Sequence, residues 1–419
     1  MDVPFRTLPC KMKTRSVQFN GLQKPCSAKG LGAGILILVF FLFISCSEKD
    51  PKTSKAPWTS VNCSTITDGN ADDCIRMNQI QVVGTHNSYK LAPLPELIEM
   101  GNEAIPEWAQ DIDYGHRPIE YQLSQLNMRQ LKLDIYADTE GGLYSEPMGA
   151  LLVNDDEFLH RNEMMEPGFK VFHIQDADYR STCLTFNNCL EIIRDWSLSN
   201  PSHLPLIVLV EVRDRIVGDW GPFTFTNPVP VDKTLLMVMD NEIRDVFEQS
   251  YIIKPDEIRG SYHSIEEAIL TRGWPTLAQT RGRIMFVLDN GDPYREAYLS
   301  GAPNLEGRMM FVDSVPGENN AAFIKLEDAI FDIDVIREAV HRGYLVHTMS
   351  DFPVVEARFG NRYRMEHAFP SGAHVISTVF PEPAPFDSQY MITLPNTEGP
   401  GRCNPVSAPA GCQHSYIRE

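Results

Sequence analysis

The sequence predicts an α/β protein folded as a closed (βα)8 barrel in a single domain. Three observations carry that prediction. Short apolar runs recur near residues 80–85, 129–135, 169–174, 205–212, 284–289, 309–313, 343–348 and 373–379. Helix-like stretches separate several of them, which implies parallel strands joined by crossovers. Polar residues suited to acid–base or ligand chemistry stand at the ends of four runs, as at the mouth of a barrel.

The first run, Ile80-Gln81-Val82-Val83-Gly84, leads directly into Thr85-His86-Asn87-Ser88-Tyr89. A histidine beside a carboxamide just past a strand end pairs a proton carrier with an oxygen ligand. The segment 88–125 that follows holds Pro93, Pro95, Pro106 and Pro118, and reads as a long connection with short helices over the mouth. In the second run, Met128 to Tyr136, side chains alternate. Gln130, Lys132 and Asp134 therefore share one face, and Leu131, Leu133 and Ile135 the other. Asp134 is expected to point inward at the mouth.

The third run ends in Phe172-His173, and the fourth, Leu206-Ile207-Val208-Leu209-Val210, ends in Glu211. His86 and His173 are thus two groups that titrate near neutrality, suited to general base and general acid work. Asn87, Asp134 and Glu211 offer the oxygens that a hard cation such as calcium requires. Helices are expected over Cys189 to Trp196, Val231 to Gln249 and Ile330 to His341. The segment 213–283 is long enough to carry an insertion. His116, His160 and His203 read as structural, and Arg213 and Asp214 as rim salt bridges.

The N-terminus reads as a targeting segment over residues 1–45. Arg6, Lys11, Lys13, Arg15, Lys24 and Lys29 precede an apolar run from Leu31 to Ser45, too short to span a membrane and right for a signal core. The run ends at Phe43-Ile44-Ser45-Cys46, which resembles a bacterial lipoprotein processing site, with Cys46 as the lipidated terminus. Residues 46–76 form a tether and stapled lead-in, 77–395 the barrel, and 396–419 a C-terminal strap.

Six cysteines remain beyond the signal as three close pairs: Cys63/Cys74, Cys183/Cys189 and Cys403/Cys412. Local pairs in an even count read as disulfides in an oxidising compartment. The chain is therefore expected to be exported, either membrane-anchored or secreted. Without residues 1–45, 31 Lys+Arg stand against 55 Asp+Glu, a formal balance of −24. Such a surface argues against nucleic acid as a partner. It also argues against broad adhesion to anionic lipid, so any lipid recognition must be local.

Three catalytic-looking segments share a pattern: His86-Asn87-Ser88-Tyr89, Arg129 to Asp138, and Phe172-His173-Ile174-Gln175-Asp176. They resemble phosphatidylinositol-specific phospholipase C enzymes, in the bacterial calcium-dependent branch. Ser181-Thr182-Cys183 through Asn200-Pro201, Pro205 through Glu211, Gly343 to Val346, Ile376-Ser377-Thr378 and Arg402 to Val406 extend the likeness over about residues 77–412. The resemblance implies a TIM-type phospholipase C-like barrel. It implies attack of an inositol 2-hydroxyl on the adjacent phosphodiester, with diacylglycerol expelled.

Carried over, His86 contacts the phosphoryl oxygens, His173 protonates the leaving oxygen, and Asn87, Asp134 and Glu211 ligate calcium. Asp176 and Asp178 stand where they orient His173 or a sugar hydroxyl. The partners implied are a phospholipid or inositol-phosphate substrate and a membrane reached through the lipid anchor, with the protein a monomer.

One position departs from the family pattern. The glutamate expected two residues before Asp134 is Lys132, on the same inward face. Two readings stay open: Lys132 is itself the substrate-binding cation, or the barrel binds an inositol- or sugar-phosphate without turnover. A glycerophosphodiesterase-like hydrolase is a further alternative, against which Asn87 and Lys132 speak.

Overall fold

The computed structural model describes residues 62–419 apart from 106–107, 353 and 387. The expected signal, Cys46 and most of the tether lie outside the described residues.

Strands β1 (Ile80–Thr85), β2 (Gln130–Asp138), β3 (Gly168–Val171), β4 (Leu206–Val212) and β5 (Ile284–Leu288) come first in the chain. They are followed by β6 (Met310–Val312), β7 (Phe323–Lys325), β8 (Leu345–Met349), β9 (Val375–Thr378) and β10 (Arg402–Cys403). They form two sheets, ordered β10-β1-β9-β8-β7 and β3-β2-β4-β5-β6. Within each sheet four consecutive members pair in parallel, from β1 through β9 and β8 to β7 and from β2 through β4 and β5 to β6. The barrel is two halves that meet at two seams.

At one seam Asp313 beyond β6 bridges in parallel to Phe323 of β7. At the other, Arg129 N donates to Val83 O at 2.8 Å and Ser88 N to Lys132 O at 2.9 Å. Gly84 makes the second seam possible. A Cβ there would sit 2.3 Å from both the Cβ and the carbonyl oxygen of Gln130, so only glycine lets β1 and β2 approach this closely.

Crossover helices cover the outside, and their ends follow local chemistry. After α1 (Pro95–Ala104) and α2 (Ile119–Gln125), α3 (Phe186–Ser199) starts where Thr185 accepts from Asn188 N. α4 (Lys233–Val246) starts where Asp232 accepts from Leu235 N. After α5 (Tyr294–Leu299), α6 (Ala329–Arg342) begins at Asp328 and stops at Gly343 in the left-handed region. α7 (Tyr363–Ser371) likewise stops at a left-handed glycine, Gly372. The three expected helices correspond to α3, α4 and α6. The strand interiors of β2, β4 and β5 are almost wholly buried and apolar on the helix side, giving one continuous core.

Two strand expectations need correction. The run expected at 169–174 is not a member of the parallel set. β3 stops at Val171 and pairs antiparallel with the far end of β2, Ile135 opposite Val171 and Asp138 opposite Gly168. The parallel ladder of β2 with β4 ends at Ile135, so the overhang through Asp138 takes a hairpin partner instead. An apolar run signals a strand but not its direction. The missing parallel strand is β7, three residues ending in a lysine, too short for periodicity to register.

All three cysteine pairs are bonded as expected: Cys63–Cys74, Cys183–Cys189 and Cys403–Cys412. The last anchors β10, which pairs antiparallel with the start of β1 through Ile80 and Cys403. No described helix is long and apolar enough to cross a membrane.

Candidate active site

The strand register sets the site. Lys132 pairs with Leu209 and Asp134 with Glu211, so these side chains share the inner face with Gln130. Their contacts confirm it, because they meet partners on strands that are not neighbours. Lys132 Nζ lies 2.9 Å from Asp134 Oδ1, 2.5 Å from Glu211 Oε2 and 3.9 Å from Asp289 Oδ2 just past β5. Lys325 on β7 reaches the same Asp289 at 3.3 Å. One layer lower, Ser377 of β9 donates to Gln130 Oε1 at 2.5 Å, and His347 of β8 lies 2.8 Å from Ser377 Oγ.

Arg213, expected at the rim, belongs to this cluster. Its Nη2 lies 2.8 Å from Asp134 Oδ2 and 3.3 Å from Glu211 Oε2, while its Nε is buried without a hydrogen-bond partner. Burial alone would push the Lys132 ammonium down, but Asp134 and Glu211 more than offset it and hold it above the ordinary lysine value. Burial would likewise raise Asp134, yet Arg213 and Lys132 keep it well below the usual carboxylate range. Two cations and two carboxylates thus form an interlocked quartet.

His86 leaves β1 at the mouth, where its backbone N–H donates to Thr378 O at 2.9 Å. His116 Nε2 donates to the His86 carbonyl at 2.8 Å, and the Phe352 ring lies 5.8 Å from the His86 ring. Burial first, then the charge of Lys132, push His86 well below its usual value. Its imidazole is therefore neutral near pH 7, able to accept a proton. Asn87 has φ +52°, and its Nδ2 donates to Tyr114 Oη at 2.9 Å. Its Oδ1 is buried without a partner.

His173 lies in the turn after β3, two residues beyond the strand. Its Nδ1 lies 2.8 Å from Asp178 Oδ2, and Tyr136 Oη donates to its carbonyl at 3.0 Å. The ring lines a cavity of about 410 Å³ together with Tyr136, Gln175, Arg213, Arg215 and Trp220. Of the two acids beyond His173, Asp178 takes the orienting position. Asp176 instead accepts from Met148 N at 2.9 Å and from Thr226 N at 2.5 Å, holding loops together. Through space His86 senses Lys132, Asp134, His173 and Arg213, so both histidines and the quartet share one mouth.

The residues present do not fit a calcium ion. Calcium takes six to eight oxygens. Here Lys132 and Arg213 occupy both oxygens of Asp134 and share Glu211 Oε2, which leaves only Asn87 Oδ1 and Glu211 Oε1 of the expected set, far short of that number and beside two cations. Among the described residues no three His, Cys, Asp or Glu side chains converge as a metal would need.

Sequence reasoning missed Arg213, Asp289 and Lys325 as members of this cluster. Arg213 carried a usable signal: it is two residues beyond Glu211, and its N–H extends the ladder by donating to Ile135 O at 2.8 Å.

Parallel strands, crossover helices and polar groups gathered at one mouth define a TIM-type barrel of the phospholipase C-like phosphodiesterase kind. Residues 75–405 match the family model described as phosphoinositide phospholipase C, Ca2+-dependent, and the chain belongs to that family, as its motifs led one to expect. A calcium-dependent phosphoinositol-specific phospholipase C from Pseudomonas sp. is similar in structure. It is 13% identical, with a TM-score of 0.46 over 76% of this chain and 94% of that one. A Ca2+-dependent phosphatidylinositol-specific phospholipase C from Streptomyces antibioticus is 15% identical, with a TM-score of 0.45 over 73% of this chain and 95% of that one. A glycerophosphoryl diester phosphodiesterase from Parabacteroides distasonis is 12% identical, with a TM-score of 0.27 over 73% and 84%. No curated protein matches the chain.

Proposed function

We propose that the protein cleaves phosphatidylinositol-type lipids to diacylglycerol and an inositol phosphate, with Lys132 and Arg213 supplying the positive charge that calcium supplies elsewhere in the family. The observation that carries this reading is the doubly gripped Asp134, with Lys132 on Oδ1 and Arg213 on Oδ2. Neutral His86 accepts the proton of the inositol 2-hydroxyl as its oxygen bonds to phosphorus. His173, steadied by Asp178, delivers a proton to the diacylglycerol oxygen as that P–O bond breaks. Arg213 lines the cavity, where its guanidinium offers positive charge and N–H donors to a phosphoryl oxygen. Asn87 keeps a structural hydrogen bond to Tyr114 and has no ligand role in this reading.

Three disulfides support an exported protein, and the basic–apolar–Cys46 segment supports a lipid anchor that brings the mouth to a membrane. The test is release of water-soluble inositol phosphate from phosphatidylinositol vesicles by the purified protein, measured in chelator and in excess calcium. Equal turnover in both is expected. Strong calcium activation would overturn the two-cation reading. No turnover in either, with retained binding of inositol phosphate, would favour a non-catalytic binding barrel.

A further inference from the structure

Lys90 is a fully buried lysine four residues past His86. It lies 3.1 Å from Asp178 Oδ2, and both side chains have 0% exposure. That oxygen is the one bonded to His173 Nδ1, at 2.8 Å. Lys90 Nζ also donates to Ile112 O at 2.8 Å and Tyr114 O at 2.6 Å, so it ties the long first connection to the His173 turn. The backbone repeats the link, with Lys90 bridged to Ser181 and Ile174 to Asp178. A lysine is rarely buried this completely unless its charge is answered. Burial pushes Lys90 down, and Asp178 opposes that push.

We propose that Lys90 is a positioning residue which, by sharing Asp178 Oδ2 with the His173 ring, keeps that carboxylate charge-balanced and the other ring nitrogen aimed into the cavity. The proposal rests on the reading of His173 as the general acid. A buried carboxylate facing an imidazole without a second cation would hold the ring as imidazolium, since only then is the pair neutral. With Lys90 present that balance is already met from the other side of Asp178. Other ionisable groups face His173 as well: His86, Asp134 and Arg213 across the mouth, and Arg215 along the cavity wall. Lys90 reaches the ring from the opposite side, through Asp178.

The experiment follows the His173 ring by NMR of protein labelled at histidine nitrogen, alongside the pH–rate profile on phosphatidylinositol vesicles. In Lys90→Met the titration midpoint of His173 and the matching limb of the profile should both move up by about one pH unit, tenfold in the proton equilibrium. In Lys90→Met/Asp178→Asn they should fall back. If Lys90→Met does not fold, Asp178→Asn is compared with the double variant, and its midpoint should be the lower of the two. Loss of turnover or Tm with both midpoints unmoved would overturn the proposal and leave Lys90 a structural clasp. A shifted NMR midpoint in a protein that never cleaves lipid would uphold the Lys90 role and reject the catalytic reading.

Discussion

Lys132 and Arg213 hold the two oxygens of one buried carboxylate: Lys132 Nζ is 2.9 Å from Asp134 Oδ1 and Arg213 Nη2 is 2.8 Å from Asp134 Oδ2. Asp134 has no exposed surface, so each ion pair acts in a medium that screens little.

Removing Lys132 should therefore be costly. Lys132→Ala leaves three acids, Asp134, Glu211 and Asp289, facing Arg213 and Lys325, and stability should fall by roughly 3 kcal/mol in denaturant unfolding. The vacated space is ringed by carboxylates, so Lys132→Glu should gain a calcium-dependent rise in Tm. Calorimetry with calcium and with chelator checks this; wild-type Tm should not respond.

His86→Ala and His173→Ala should each lower turnover of phosphatidylinositol by roughly 10²–10⁴-fold. Circular dichroism should stay native for both. The Asp178→Asn variant should fall between them and wild type, because it loosens His173 without deleting it.

Gly84→Ala should damage the barrel rather than its chemistry. The added methyl would meet Gln130 backbone and side chain at 2.3 Å. A loss of about 3 kcal/mol is expected in urea unfolding. Gln130 cannot yield, since its amide is already bonded to Thr85 O and Ser377.

Asp351 gives a pH signature. Burial pushes its carboxyl up to about 8, against hydrogen bonds from Thr378 Oγ1 and Val379 N. The folded state thus binds one proton that the unfolded chain has released. The stability this confers is fully present below the unfolded carboxyl value and is lost as pH rises toward 8. Between those limits wild type should lose about 1.4 kcal/mol per pH unit relative to Asp351→Asn, read from paired urea titrations.

Much of the fold was legible because barrel strands are short, apolar and regularly spaced. Seven of the expected runs fall on parallel strands, and alternation along β2 placed Lys132 and Asp134 on the inner face correctly. The eighth expectation failed at β3, where hydrophobicity does not encode direction. β7 escaped because Lys325 ends it: an inward lysine paired with Asp289 looks polar in sequence and is buried only by its partner. Arg213 was misjudged for a similar reason. Whether a guanidinium two residues past a glutamate turns outward or back over the mouth depends on Asp134, which lies 79 positions away. Lys90 gave no local sign at all, since its partner Asp178 is brought to it by the turn after β3.

The hairpin of β2 and β3 separates the two histidines mechanically. His86 issues from the ring of parallel strands, whereas His173 rides on an edge strand hydrogen-bonded to the overhang Ile135–Asp138. That overhang fixes the position of β3, and through it the turn that holds His173. Lys170 clamps the same pairing, facing Asp138 at 3.6 Å. Gly168 and Lys170 thus belong to this side pairing and not to the ring of parallel strands, so a substitution at either bears first on the turn that holds His173.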